Sequence, residues 1–148
     1  MANGQQTDPL FAFRFKVEID SLIEAGFSEC AGLQVETEVE EIQEGGVNEL
    51  VHRLPKGSKY TNLTLKHGIT TSDVLWQWHK DVVQGKVKRK MVNVLLLDNQ
   101  GQEQWRWTFK NAYPVKWIGP DLKADNSAIA LETLELVHDG FDVKVKQA

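Results

Sequence analysis

Period-two alternation recurs along this chain more often than helical spacing, and it commits most of the sequence to strands with one apolar and one polar face. The clearest run is Phe11, Phe13, Phe15, Val17 and Ile19, alternating with Ala12, Arg14, Lys16 and Glu18. Leu63 and Leu65 repeat the pattern against Thr64 and Lys66, with Gly68 as the stop. Arg89 to Leu97 and Gln102 to Phe109 flank the turn residues Asp98-Asn99-Gln100-Gly101 and read as a hairpin. In its second arm Trp105, Trp107 and Phe109 share a face, expected in the core, with a stacking platform as the alternative. Tyr113 to Ile118, Ser127 to Val137 and Phe141 to Val145 complete the strands, the last two joined at Asp139-Gly140.

One segment breaks this rhythm. Leu75, Trp78, His79, Val82 and Val83 fall at helical spacing, preceded by Ser72 as the expected N-cap and Asp73 at the positive helix end, and followed by Gly85 as the stop. Trp76 lies off that stripe and faces either a partner surface or a neighbouring loop. About eight strands and one helix around one core make a mainly β, single-domain fold, a barrel or sandwich with one packed helix. With 148 residues, 41% of them hydrophobic, one core needs no staple. Residues 1–10 are expected to be a flexible N-terminal segment and residues 11–148 the domain.

The acidic run after Gly32 is distinctive. Val35, Thr37 and Val39 alternate with Glu36, Glu38 and Glu40, which predicts a buried face backed by a row of carboxylates turned to water, a lumen or a basic partner. Neighbouring glutamates on one strand face rarely converge on a metal ion, and no histidine accompanies them. Gln43 to Tyr60 then reads as a long connection broken by Gly45-Gly46, Pro55 and Gly57. A connection of more than about 15 residues in a compact domain is usually functional or disordered. Val47, Leu50, Val51, Leu54 and Tyr60 argue against disorder, because such residues seek a surface to cover.

Reactive chemistry is hard to assemble. There is no phosphate loop, dinucleotide fingerprint, nucleophile elbow or His-Glu-x-x-His, and the histidines at 52, 67, 79 and 138 are scattered, although His67 and His138 both end strands that a fold could bring together. An enzyme is therefore not expected, nor any cofactor or metal. Cys30 has no partner for a disulfide, and Glu29 and Glu36 would raise rather than lower its pKa. A net charge of −4 disfavours general nucleic-acid binding. The basic cluster Lys86, Lys88, Arg89 and Lys90 reads as a solvated approach to a strand or an interface rim. No apolar run nears the roughly 20 residues of a membrane span, and the polar N-terminus has no signal-peptide pattern, so synthesis in the cytoplasm without membrane insertion is expected.

Several motifs in order carry a family resemblance. Phe13-Arg14-Phe15-Lys16-Val17-Glu18-Ile19-Asp20 is followed by Phe27-Ser28-Glu29-Cys30-Ala31-Gly32-Leu33, then Glu44-Gly45-Gly46. Next come Asn62-Leu63-Thr64-Leu65-Lys66, Gly68-Ile69-Thr70 and the tryptophan-bearing Leu75-Trp76-Gln77-Trp78, with Ala112-Tyr113-Pro114-Val115-Lys116-Trp117 and Ile129 to Leu136 closing the series. From about Phe11 to Asp139 the chain resembles the tail-tube (inner tube) family of contractile phages and contractile injection systems and is similar to the Hcp proteins of type VI secretion. One departure is Lys56, which stands between Leu54-Pro55 and Gly57 where the family often has glycine directly.

The resemblance implies a tail-tube/Hcp-like β-barrel subunit that closes into homohexameric rings, stacks into a tube inside a contractile sheath, and carries cargo in its lumen within an assembled tail or injection particle. Baseplate, spike and tube-terminating proteins are its further implied partners. The ring-to-ring contact is expected in the loop, with Glu44, Gly45, Gly46, Val47, Asn48, Leu50 and Leu54 against the next ring and Arg53, Lys56 and Lys59 as a polar rim. The same loop could instead fold back on its own barrel. Glu36, Glu38 and Glu40 would face a lumen or solvent. A tube-initiating or adaptor ring at the baseplate is the near alternative, and a monomeric domain binding a ligand on Trp105 and Trp107 the distant one.

Overall fold

The computed structural model describes residues 8–20, 22–24, 26–43 and 51–146. Its elements in chain order are β1 (Phe15–Ile19), β2 (Leu22–Glu24), β3 (Phe27–Ala31), β4 (Val35–Gln43), β5 (Val51–Tyr60), β6 (Leu63–Gly68), α1 (Val74–Val83), β7 (Lys90–Leu97), β8 (Glu103–Ile118), β9 (Leu131–Val137) and β10 (Phe141–Val145). Eight strands form one sheet in the order β2-β1-β7-β8-β9-β6-β3, with β10 also paired to β8, while β4 and β5 form a separate two-stranded sheet. The chain is therefore mainly β with one helix, as expected.

The centre of this arrangement is β8. The sequence suggests two strands, Gln102–Phe109 and Tyr113–Ile118, but the structure runs them together as one strand from Glu103 to Ile118. Its first half pairs with β7 and β10, and its second half with β9. Between the halves Asn111 takes a left-handed φ of 51° and its side-chain amide donates to Asp139 (2.9 Å), so the strand turns from one layer to the next without ending.

The core lies between these layers. β6 and β9 pair so that Leu63 faces Leu136, Leu65 faces Leu134 and His67 faces Glu132, and all six are buried while the alternate residues are half-buried. Val17, Val92, Val94, Phe109 and Ala112 add the opposite layer, and Leu75 and Trp78 bring α1 onto it. The indole N–H of Trp78 donates to the Lys88 carbonyl (2.8 Å), which fixes the buried ring to the chain leaving the helix.

The polar end of the β6·β9 row is internally satisfied. Glu132 accepts from the Trp117 indole through Oε1 (2.9 Å) and meets His67 Nδ1 through Oε2 (3.2 Å), while the His67 ring packs on Phe27. A carboxylate at 4% exposure is tolerated because both oxygens have partners. His138 lies at the other end of the pair, beside the β6 start, so the two histidines are not brought together.

Three local expectations need correction. β1 starts only at Phe15: Arg14 N–H donates back to the Phe11 carbonyl and β7 ends at Leu97, so no strand is left to pair with residues 11–13. Phe11 and Phe13 are accordingly exposed, at 62% and 70%, rather than on a buried strand face. The helix is capped by Asp73 and not Ser72, and the Asp73 carboxylate accepts from the Gln77 side chain (3.0 Å) instead of a backbone N–H. Trp105, expected in the core, sits at the rim, while Trp107 packs on the core and Phe109 is fully buried. Trp76 sets its ring 4.9 Å from that of Trp117 on β8 and still leaves 37% of its surface exposed.

Candidate assembly surface

The β4–β5 hairpin stands apart from the domain. Its strands pair only with each other, from Val35↔Tyr60 to Gln43↔Val51, with a bulge where Glu38 and Val39 face Gly57 and Pro55. Pro55 has no N–H to donate, and a bulge in a two-stranded ribbon is a place where that omission is tolerated. The expected long connection from Gln43 to Tyr60 is thus strand over Val51–Tyr60, because β4 supplies a partner in register for each breaker-rich stretch. Arg53, Leu54, Lys56 and Lys59 belong to that strand, whereas Glu44, Gly45, Gly46, Val47, Asn48 and Leu50 lie outside the described residues.

Neither face of the arm is buried in this chain. Val35, Val39, Ile42, Leu54 and Tyr60 are 41–57% exposed, so the expected buried face of Val35, Thr37 and Val39 is absent. The reason is topological: among the described residues the ribbon pairs with no third strand, and it is packed on the domain at its root, where Tyr60 meets Phe141. In the glutamate row Glu38 is paired across the ribbon, with Lys59 Nζ 2.6 Å away, and beside the row Arg53 Nε lies 3.5 Å from Glu41. Such exposed pairs contribute about 0–1 kcal/mol each and cannot hold the arm in place. An isolated two-stranded hairpin is marginal in water, and this ribbon pairs with no third strand among the described residues.

The root of the arm is built more firmly. Thr61 N–H donates to the Gln34 carbonyl (3.5 Å), and Tyr60 packs edge-on against His138 and Phe141. His138 accepts from the Gly140 N–H through Nδ1 (3.0 Å), so its proton is on Nε2 and donates to the Thr61 carbonyl (2.9 Å). Gly32, where β3 turns into β4, has a φ of +104°, and a Cβ there would lie 2.2 Å from the Asn62 carbonyl oxygen. Gly32→Ala is expected to lower the unfolding free energy by about 1–3 kcal/mol and to tilt the arm, measurable by urea denaturation together with amide exchange at Gln34 and Thr61.

Two further surfaces escaped the sequence patterns. Phe11 and Phe13, 5.7 Å apart, form an exposed aromatic pair with the Arg14 guanidinium over Phe13. The connection over residues 119–130 carries Leu122 and Ile129, exposed at 82% and 78%. Lone apolar residues among polar ones have no period to detect. Chemistry has no comparable focus: among the described residues no group of three or more His, Cys, Asp or Glu could hold a metal ion. Burial pushes the Cys30 thiol up to about 12, so desolvation and not the neighbouring glutamates makes it unreactive. The Arg106 guanidinium donates two 2.8 Å hydrogen bonds to Glu103 and holds that carboxyl below its ordinary value, the geometry of a structural ion pair. Among the described residues no helix is long and apolar enough to cross a membrane.

Comparison with known proteins agrees with an assembling rather than a catalytic surface. The profile of the T4-like virus tail tube protein gp19 family matches residues 11–142. A chain of the sheath-tube complex of an extracellular contractile injection system, PVC, in the extended state is 24% identical, with a TM-score of 0.85 over 93% of each chain. A chain of the tube-terminating cap of the anti-feeding prophage, AFP, is 20% identical, with a TM-score of 0.88 over 98% of this chain and 97% of that one. Hcp1 from Flavobacterium johnsoniae is 12% identical, with a TM-score of 0.56 over 90% of this chain and 97% of its own. No curated protein matches in sequence. These relatives are structural tube and cap proteins, and no enzyme is among them.

Proposed function

The chain belongs to the T4-like virus tail tube protein family, a structural component of phage tails and contractile injection systems, and from that premise we propose that it is the repeating inner-tube subunit, closing into hexameric rings that stack into a hollow conduit. The observation that carries this reading is the β4–β5 arm, an unsupported ribbon with exposed Val39, Ile42 and Leu54 in a chain whose family builds tubes. The arm, together with residues 44–50 between its strands, makes the ring-to-ring contact, with Arg53, Lys56 and Lys59 as its polar rim. Half-exposed aliphatic side chains yield about 1 kcal/mol each on full burial, and a ring presents one arm per subunit, so contacts that are weak singly become strong together.

In this reading the tube performs no chemistry. It is a stiff channel for cargo, enclosed by a contractile sheath and bounded by baseplate, spike and terminating proteins, and its place is the assembled particle. Glu36 and Glu40 meet solvent or the neighbouring ring. Negative-stain electron microscopy over a concentration series tests the reading: six-fold rings or stacked tubes with a central hole are expected, and a monodisperse monomer at every concentration would refute it.

A further inference from the structure

We propose that the end of α1 and the chain leading from it into β7, residues 80–91, dock an acidic segment of a second kind of protein; the inference goes beyond the stacking reading above and does not depend on it. Charge is the first argument. Over residues 74–91 Lys80, Lys86, Lys88, Arg89 and Lys90 stand against Asp81 alone, a surplus of four positive charges in a chain whose net charge is −4. Lys88 is paired with Asp81 (3.2 Å). Among the described residues Lys80, Lys86, Arg89 and Lys90 make no ion pair. Asp20 reaches the same stretch from the end of β1, but its carboxylate accepts from the Met91 N–H (3.1 Å). The helix end does not occupy these cations either, because the carbonyls of Lys80, Asp81 and Val82 accept from the backbone N–H groups of Gln84, Lys86 and Gly85.

Preorganisation is the second argument. The Arg89 guanidinium lies 5.2 Å from the centre of the Tyr113 ring, and the Lys90 ammonium 5.2 Å from that of Trp78, whose indole N–H is bonded to the Lys88 carbonyl. Aromatic faces hold these two cations in place and leave their N–H donors to a carboxylate from outside. Val83, Val87 and Met91, exposed at 69%, 41% and 51%, are interleaved with the charges. Apolar residues among cations make the anatomy of a protein interface, whereas a phosphate backbone is met by cations and polar groups.

The carboxylates of this chain give the reason for a different partner. Among the described residues Asp8, Glu36, Glu40, Asp121 and Asp125 are the acids with neither a hydrogen bond nor an ion pair from their side chains, and they lie on three separate segments. The other acids are engaged at home, Glu29 with Lys66, Glu103 with Arg106 and Asp142 with Lys110 among them. A second copy therefore presents no cluster of free carboxylates among its described residues, and the counterpart of the basic surface is an acidic segment of another chain.

The test treats purified particles that contain the full chain with a carbodiimide, which joins a lysine amine to a carboxylate only where the two touch. Joined peptides are identified by mass spectrometry and the same particles are imaged. The expected result is Lys80 or Lys86 joined to an Asp or Glu of a different protein. Lys86→Gln together with Arg89→Gln should lower the remaining Lys80 yield about tenfold, as should high salt, because exposed charge pairs are screened. Lys144→Gln, which removes an exposed cation on β10, should leave it unchanged. Tubes without the cross-link would overturn this contact and leave the tube reading standing. The cross-link in particles without tubes would support the contact and count against the tube. Cross-links confined to copies of this chain would overturn the proposal, as would a yield indifferent to the double variant. Binding of a mixed-sequence oligonucleotide that the double variant abolishes, with no carboxylate joined, would overturn it in favour of phosphate.

Discussion

Excising residues 38–57 and joining Thr37 to Ser58 through an Asn-Gly turn is expected to leave a folded subunit that no longer stacks. Val35↔Tyr60 and Thr37↔Ser58 survive this cut, as does the 2.9 Å hydrogen bond between the Thr37 and Ser58 hydroxyls, and Asn-Gly suits a two-residue hairpin. The removed strands pair only with each other, so the eight-stranded sheet and its core lose no partner. Loss of Val39, Ile42 and Leu54 alone, at about 1 kcal/mol each, weakens each arm contact by roughly 100-fold. Sedimentation velocity and electron microscopy read stacking, and thermal unfolding by circular dichroism reads the fold. Stacks of normal length from the shortened chain would sink the arm as the ring contact. Loss of cooperative unfolding would mean that the arm supports its own domain.

The second large effect is in the core. Phe109→Ala should lower the unfolding free energy by about 3–5 kcal/mol, a large share of the 5–15 kcal/mol typical of a domain. Phe109 is fully buried on β8, with ring centroids of His138 at 4.8 Å and Phe141 at 5.2 Å. It therefore supports the β9–β10 corner, on which Tyr60 and the arm root rest. Urea denaturation checks this: with m near 2 kcal/mol/M, the midpoint should fall by about 2 M, while Phe109→Leu should lose less because it leaves a smaller cavity. A midpoint unchanged by Phe109→Ala would contradict the packing described.

Several elements were legible before any coordinates. Alternation of Leu63 and Leu65 gave β6 and two of its buried residues, since a sheet with one covered face imposes period two, whereas the strand expected over Ser127 to Val137 begins only at Leu131, where pairing with Gly68 starts. The helix was legible from Leu75 and Trp78, and the family from its ordered motifs. The same alternation misled at Phe11 and Phe13, where β7 had run out of residues to pair, and at Val35 and Val39, where no layer packs on the ribbon. Pro55 and Gly57 resembled loop signals because a ribbon open on both faces tolerates breakers that a packed strand would not.

Local pattern thus determined which segments extend, which one coils and which side chains seek burial, because those preferences are set within a few residues by backbone geometry and side-chain polarity. Only the tertiary structure decided what covers them. Whether an apolar face meets core, solvent or a second molecule depends on strands brought together from distant parts of the chain, and their register alone places the arm root at the Leu63 end of β6 and the strand that follows residues 119–130 at its Gly68 end.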